Sequence, residues 1–297
     1  MSENQAVAQE LVGALRSPDG GYSMLALDQR ESLRRMFPLL DGQEVGDDRL
    51  RRFKAAAIRI LSPHASAILL DRPLAIAFDR PEGIAPGCGL ILAADLLDQP
   101  PGQGVVQTFL DPEVTAAFVR HVNAVALKLL VIWRPDGRQA EREDLVRSFV
   151  ALADEAGVAS LVEGIAKPAE GGDWSSADER HGGILEAAKE LTSHGGTIYK
   201  AEVPGYAPGD LSRVREHAQR ITDQIDVPWV VLSNGTAQQD FADAVREACL
   251  GGASGFLAGR AVWADTVADA EPERALEERS VERLHALSAV VAEARAS

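Results

Sequence analysis

Thr197-Ile198-Tyr199-Lys200-Ala201-Glu202-Val203-Pro204 runs between two turn-forming groups, His194-Gly195-Gly196 and Pro204-Gly205. Its aromatic and β-branched residues read as a strand, and a lysine sits in the middle of it. Alternation puts Ile198, Lys200 and Glu202 on one face and Tyr199, Ala201 and Val203 on the other. An amine held in such a place gives up its proton more readily than a solvated one and, once neutral, attacks carbonyl carbon. The structural alternative is a lysine that snorkels from a strand end or serves as the ion partner of Glu202.

Outward from this stretch, seven more short apolar runs take the same form: Tyr22 to Asp28, Ser66 to Asp71, Gly89 to Asp95, Ala126 to Trp133, Ala159 to Glu163, Trp229 to Ser233 and Gly255 to Gly259. Apolar positions at helical spacing fill the gaps at Asp48 to Ser62, Glu141 to Ala156, Glu179 to Thr192, Leu211 to Gln224 and Gln238 to Leu250. Near-continuous apolar strands alternating with helices imply burial on both faces, and eight such units in one chain predict an α/β fold, a single closed (β/α)₈ TIM barrel over residues 1–297. Glu273 to Arg295 reads as an extra C-terminal helix outside the barrel. The open doubly wound sheet is the rival, but no strand leads into a GxGxxG turn.

Composition narrows the function. The 297 residues are 46% hydrophobic, with net charge −15 and a pI near 4.9, which argues against a nucleic-acid partner or an anionic membrane surface. An anionic ligand must then meet a local cluster of basic groups. Cys88 and Cys249 have no metal-ligand spacing, and two cysteines suit a reducing compartment. Met1 to Leu15 has acids and glutamines where a signal peptide needs a basic end and an apolar core, so a cytoplasmic protein is expected.

In a barrel, side chains at the C-terminal strand ends share one mouth. Here they are Asp28, Asp71, Asp95, Lys128, Glu163, Lys200, Ser233 and Arg260. Lys128 repeats the predicament of Lys200, and two ammonium groups facing one cavity are expected to lower each other's pKa, leaving one amine neutral. Glu163 and Asp28 are candidates to move protons, or else counter-ions for the lysines. Ser233-Asn234-Gly235 and Gly259-Arg260, after the last two strands, have the make-up of a phosphate cradle. The six histidines are scattered, so no metal or other cofactor is expected; a magnesium site on Asp71 and Asp95 is the one conceivable exception.

Five stretches carry a family resemblance: Met24 to Glu31, Ala126 to Val131, Tyr199 to Pro204, Pro228 to Ser233 and Gly252 to Trp263. The chain resembles the class I aldolases of the tagatose-bisphosphate aldolase group and, within it, most nearly the sulfofructosephosphate aldolases of sulfoquinovose breakdown. The resemblance implies a phosphorylated ketose as substrate, cleaved through an imine on Lys200 with Asp28, Lys128 and Glu163 around it. It implies that Ser233 and Arg260 hold the phosphate of the dihydroxyacetone half, and that the protein is a homo-oligomer. Gln29 and Arg30, next to Asp28, are expected to receive the anion on C6. Tagatose or fructose bisphosphate remains the alternative substrate, and a phosphosugar-binding regulator the alternative to an enzyme. Lys167, in the loop Lys167 to Trp174, is a further base whose direction the sequence leaves open.

Overall fold

A computed structural model describes residues 10–100, 104–169 and 172–297; the opening segment up to residue 9 and Glu170-Gly171 of the 167–174 loop lie outside it. The predicted barrel is present. Eight parallel strands close in the order β1 (Tyr22–Leu27), β2 (Ala67–Leu70), β3 (Gly89–Ala93), β6 (Ala126–Trp133), β7 (Ala159–Ala166), β8 (Ile198–Glu202), β9 (Trp229–Leu232), β10 (Gly255–Ala258) and back to β1. The two remaining strands, β4 (Asp95–Asp98) and β5 (Gln107–Leu110), form an antiparallel hairpin on the mouth side.

The barrel separates two apolar layers. Inside are Met24, Ala26, Leu69, Ile91, Ala93, Ala126, Ala159, Leu161, Ile198, Val230 and Leu257, every other residue of each strand, as the pleat requires. The alternate positions, such as Leu25, Leu127, Val162, Tyr199 and Val231, face the surrounding helices.

Those helices are α1 (Asp47–Leu61), α2 (Ala116–His121), α3 (Gln139–Ala156), α4 (Ala177–Thr192), α5 (Val214–Thr222), α6 (Phe241–Leu250) and the terminal α7 (Val281–Ala296). Local chemistry sets their ends. Ser176 caps α4 by accepting a hydrogen bond from the Glu179 amide, 3.1 Å. Gly157, at φ +75°, closes α3 in the left-handed conformation that glycine adopts without strain. No helix among the described residues is long and apolar enough to cross a membrane.

The regular alternation of the sequence reading breaks at two places. After β2 the chain makes only a π-turn, Arg72–Ile76, capped by the Asp71 carboxylate. After β3 the hairpin intervenes before the short α2, so the expected third strand, Gly89 to Asp95, is two elements. The shift at Asp95 is what places its carboxylate over the mouth.

Candidate active site

The inward rows of three neighbouring strands supply the reactive groups. Lys128, Leu130 and Ile132 share a face of β6, Glu163 and Ile165 share one of β7, and Lys200 stands on β8 in register with Glu163. With Asp28 at the end of β1 they line a cavity of about 320 Å³, which Gln29, Arg30, Glu31, Leu97, Lys167, Asn234 and Arg260 also bound. All four predicted catalytic residues are therefore together.

Lys128 Nζ is the centre of the charge cluster. It lies 2.8 Å from Asp28 Oδ2, 3.1 Å from Asp95 Oδ2 and 3.0 Å from Glu163 Oε2. Burial alone pushes an ammonium toward its neutral form, but the carboxylates of Asp28, Asp95 and Glu163 outweigh it and hold the Lys128 pKa well above the ordinary lysine range. This corrects the expectation that the two lysines would depress one another: at Lys128 the three acids decide. Burial likewise opposes ionisation of Asp28, and Lys128 followed by Lys200 overcomes it, leaving Asp28 well below the usual carboxylate range. Glu163 is lowered against burial in the same way, by Lys128 and Lys200.

Lys200 Nζ meets Glu163 Oε2 at 3.0 Å. One carboxylate oxygen thus touches both ammoniums, at ion-pair distance and without a well-aligned hydrogen bond. Glu202, which the structural alternative paired with Lys200, instead pairs with Arg180 of α4 at 3.1 Å and accepts from the Ala166 amide at 3.0 Å. It ties the ends of β7 and β8 to α4.

Two basic groups stand on opposite sides of the mouth. Arg260 leans from the end of β10 toward β9 and donates to the Asn234 side chain; burial lowers its pKa, partly offset by Glu163 and Asp28. Arg30 leans the other way, past β2 to β3. It gives one hydrogen bond to the Asp95 carbonyl at 2.9 Å and another to Asp95 Oδ1 at 3.0 Å, and does not pair with its own following turn. Arg30 Nε and Gln29 Oε1 are buried without hydrogen-bond partners among the described residues, a donor and an acceptor left over beside the cavity.

Ser233, Gly235 and Gly259 lie behind this wall. The Ser233 hydroxyl accepts from the Ala261 amide at 3.5 Å, Gly235 takes φ +76°, and Gly259 lets the chain press on β1. A Cβ there would stand 2.6 Å from Ala26 O and 2.9 Å from Gln29 Nε2.

Asp71, counted among the mouth acids, is elsewhere. It is buried against Lys54 of α1, which also donates to Leu27 O at 2.9 Å. Asp71 and Asp95 thus serve different cations and do not form the magnesium pair considered from sequence. The sequence reading missed Asp95 as the second counter-ion of Lys128, and Arg180 as the partner of Glu202. Pro100, soon after Asp95, was the available signal that the strand ends in a hairpin; Arg180 had none.

Fold and cavity define a barrel enzyme with its ionisable groups gathered at the C-terminal ends of the strands. The chain belongs to the DeoC/LacD family of aldolases, whose family model matches residues 22–265; it is a lyase. The tagatose 1,6-diphosphate aldolase 2 of Streptococcus pyogenes serotype M3 is 28% identical over 292 residues, covering 90% of this chain and 86% of its own. The tagatose 1,6-diphosphate aldolase of Listeria monocytogenes serotype 4a is 27% identical over 277 residues, covering 85% and 80%. A fructose-bisphosphate aldolase from Plasmodium falciparum, solved in complex with TRAP and a small-molecule inhibitor, shares the fold with a TM-score of 0.71 at 15% identity, over 97% of this chain and 95% of its own.

Proposed function

We propose that this aldolase works through an imine on Lys200 and cleaves 6-deoxy-6-sulfofructose 1-phosphate to dihydroxyacetone phosphate and 3-sulfolactaldehyde. The observation that carries the imine chemistry is Glu163 Oε2, 3.0 Å from both Lys200 Nζ and Lys128 Nζ. Glu163 is placed to exchange a proton with Lys200. The amine attacks C2 of the ketose, and the carbinolamine loses its hydroxyl as water with a proton returned by a carboxylic acid. A carboxylate then removes the C4 hydroxyl proton. The C3–C4 bond breaks, its electron pair enters the protonated imine to give an enamine, and the aldehyde leaves. Protonation at C3 and hydrolysis free dihydroxyacetone phosphate and restore Lys200. Glu163 and Asp28 are the proton carriers in this scheme.

The charge of the wall supports an anionic sugar. Five cations line it, Arg30, Lys128, Lys167, Lys200 and Arg260, against three acids, Asp28, Glu31 and Glu163, in a chain of net charge −15. Asn234 and Arg260 suit the C1 phosphate. On the other side Arg30 shares the Asp95 carboxylate with Lys128, and its partly compensated charge favours a singly charged sulfonate at C6 over a phosphate carrying nearly two charges. The names of the relatives favour a second reading, tagatose 1,6-bisphosphate.

Borohydride reduction in the presence of dihydroxyacetone phosphate tests the nucleophile: the reduced adduct is expected on the peptide containing Lys200, and an adduct on Lys128, or none, refutes the assignment. Rates of cleavage of the sulfosugar against tagatose and fructose bisphosphates decide between the two substrates.

A further inference from the structure

Lys167 is a cation of the cavity wall that the chemistry above does not use. Its position is fixed: its amide donates to Trp133 O at 2.9 Å, extending the β6–β7 ladder, and Arg134 holds the carbonyl of the next residue, Pro168, at 2.5 Å. It continues the inward row of Glu163 and Ile165 and lines the same cavity as Lys200. Lys128, Lys200 and Arg30 all have carboxylate partners, in Asp28, Asp95 and Glu163, and Glu31 is taken by Arg34. Among the described residues Lys167 has no carboxylate at ion-pair distance, and neither has Arg260. Among the described residues the wall thus carries two cations without a carboxylate partner, at two separate places.

The two stand on either side of Lys200, as a ketose with an anion at each end requires. Around the barrel the order is β10, β9, β8, β7, β6, β3, so Arg260 and Asn234 lie on one side of Lys200 and Lys167 on the other. Glu163 is in register with Lys200, and Lys167 stands four residues beyond Glu163, about 13 Å along the strand at about 3.3 Å per residue. From the C2 bound to Lys200, four C–C bonds of about 1.5 Å lead to C6; that reach, the anion it carries and the lysine arm together span the interval. Arg30 is a poorer first contact, because its guanidinium lies one strand past β6, at β3, and an anion there must displace Asp95.

We infer that Lys167 is the residue that receives the C6 anion and sets the preference for an anionic over an uncharged group at that carbon, with Arg30 a secondary contact. The inference rests on the imine aldolase reading and names the residue that makes the far end of that site selective. A single free ammonium complements a monoanion such as a sulfonate and leaves a phosphate undercompensated.

The test compares kcat/KM for the C6-sulfonate ketose with that for fructose 1-phosphate, which has a hydroxyl at C6. Lys167→Met is expected to lower the sulfonate-to-hydroxyl ratio by roughly 10- to 100-fold, the loss typical of a charge-assisted contact, with most of it appearing in KM. Lys167→Arg is expected to restore most of the ratio. Borohydride labelling by dihydroxyacetone phosphate, run on the same samples, reports the imine separately. A ratio unchanged in Lys167→Met while labelling persists overturns the assignment of Lys167 alone. Absence of labelling in the unmodified protein overturns the imine reading, and this inference with it.

Discussion

Lys128→Met is the substitution that bears most directly on the charge cluster. In the unmodified protein Asp28 and Glu163 are held below their ordinary pKa range, so their contribution to stability is present above the unfolded carboxylate value of about 4 and lost as pH falls through the folded values. Lys128 is held above its ordinary range, so its contribution is present below the unfolded lysine value of about 10.4 and lost only as pH rises through the folded one. Between about pH 5 and about pH 9 the cluster therefore contributes a constant amount.

The substitution leaves Asp28, Asp95 and Glu163 facing only Arg30 and Lys200. A buried charge stripped of its partner costs about 3–5 kcal/mol, and protonation of one carboxylate relieves it. That carboxylate then has a folded pKa above its unfolded one, which reverses the sign: stability is greatest at low pH and falls as pH rises, by up to about 1.4 kcal/mol per unit. Urea unfolding of both proteins at about pH 5 and about pH 8 measures the difference, which is expected to be small at the lower pH and to approach the full cost at the higher. A variant equally destabilised at both pH values, or as stable as its parent, refutes the assignment of Lys128 as the counter-ion of three carboxylates.

Arg260→Ala is expected to weaken binding of dihydroxyacetone phosphate by about 1.5–3 kcal/mol, seen by calorimetry, since charge-assisted bonds to phosphate are made in ground and transition states alike; unchanged affinity means that Arg260 serves another group. Cleavage is expected to survive exhaustive chelation, because in the proposed scheme the imine does the work of a Lewis acid; loss of activity with EDTA, restored by zinc or magnesium, counts against the scheme. Lys54→Met strands the buried Asp71 and is expected to cost about 3–5 kcal/mol, while Lys54→Met with Asp71→Asn recovers much of it; thermal melts that rank the double variant below the single one contradict the pairing.

Much of this site was legible because a strand's alternation is rigid. Once Lys128, Glu163 and Lys200 were each assigned to an apolar strand, their inward direction and their meeting at one mouth followed from the barrel. The hidden parts depend on partners distant in sequence. Lys54 reaches Asp71, Arg180 reaches Glu202 and Arg30 reaches Asp95, and no local pattern tells a buried acid which cation will find it. Asp95 was read as the end of a barrel strand, whereas its chain turns out into the hairpin, and that displacement makes it a partner of both Lys128 and Arg30. The lowering expected at Lys128 failed for the same reason: counting like charges ignored the acids around it.

The hairpin has a consequence for how this scaffold diversifies. The groups proposed for bond making stand on β6, β7 and β8, where any change of register disturbs helices on one side and the barrel interior on the other. Leu97, Gly104 and Val105 meet the same cavity from β4 and the turn after it, on an element whose Leu96 and Phe109 are open to solvent. Insertions and substitutions there reshape the cavity without touching the lysines proposed to react, so substrate preference can drift along a lineage while the proposed bond-breaking apparatus is inherited intact.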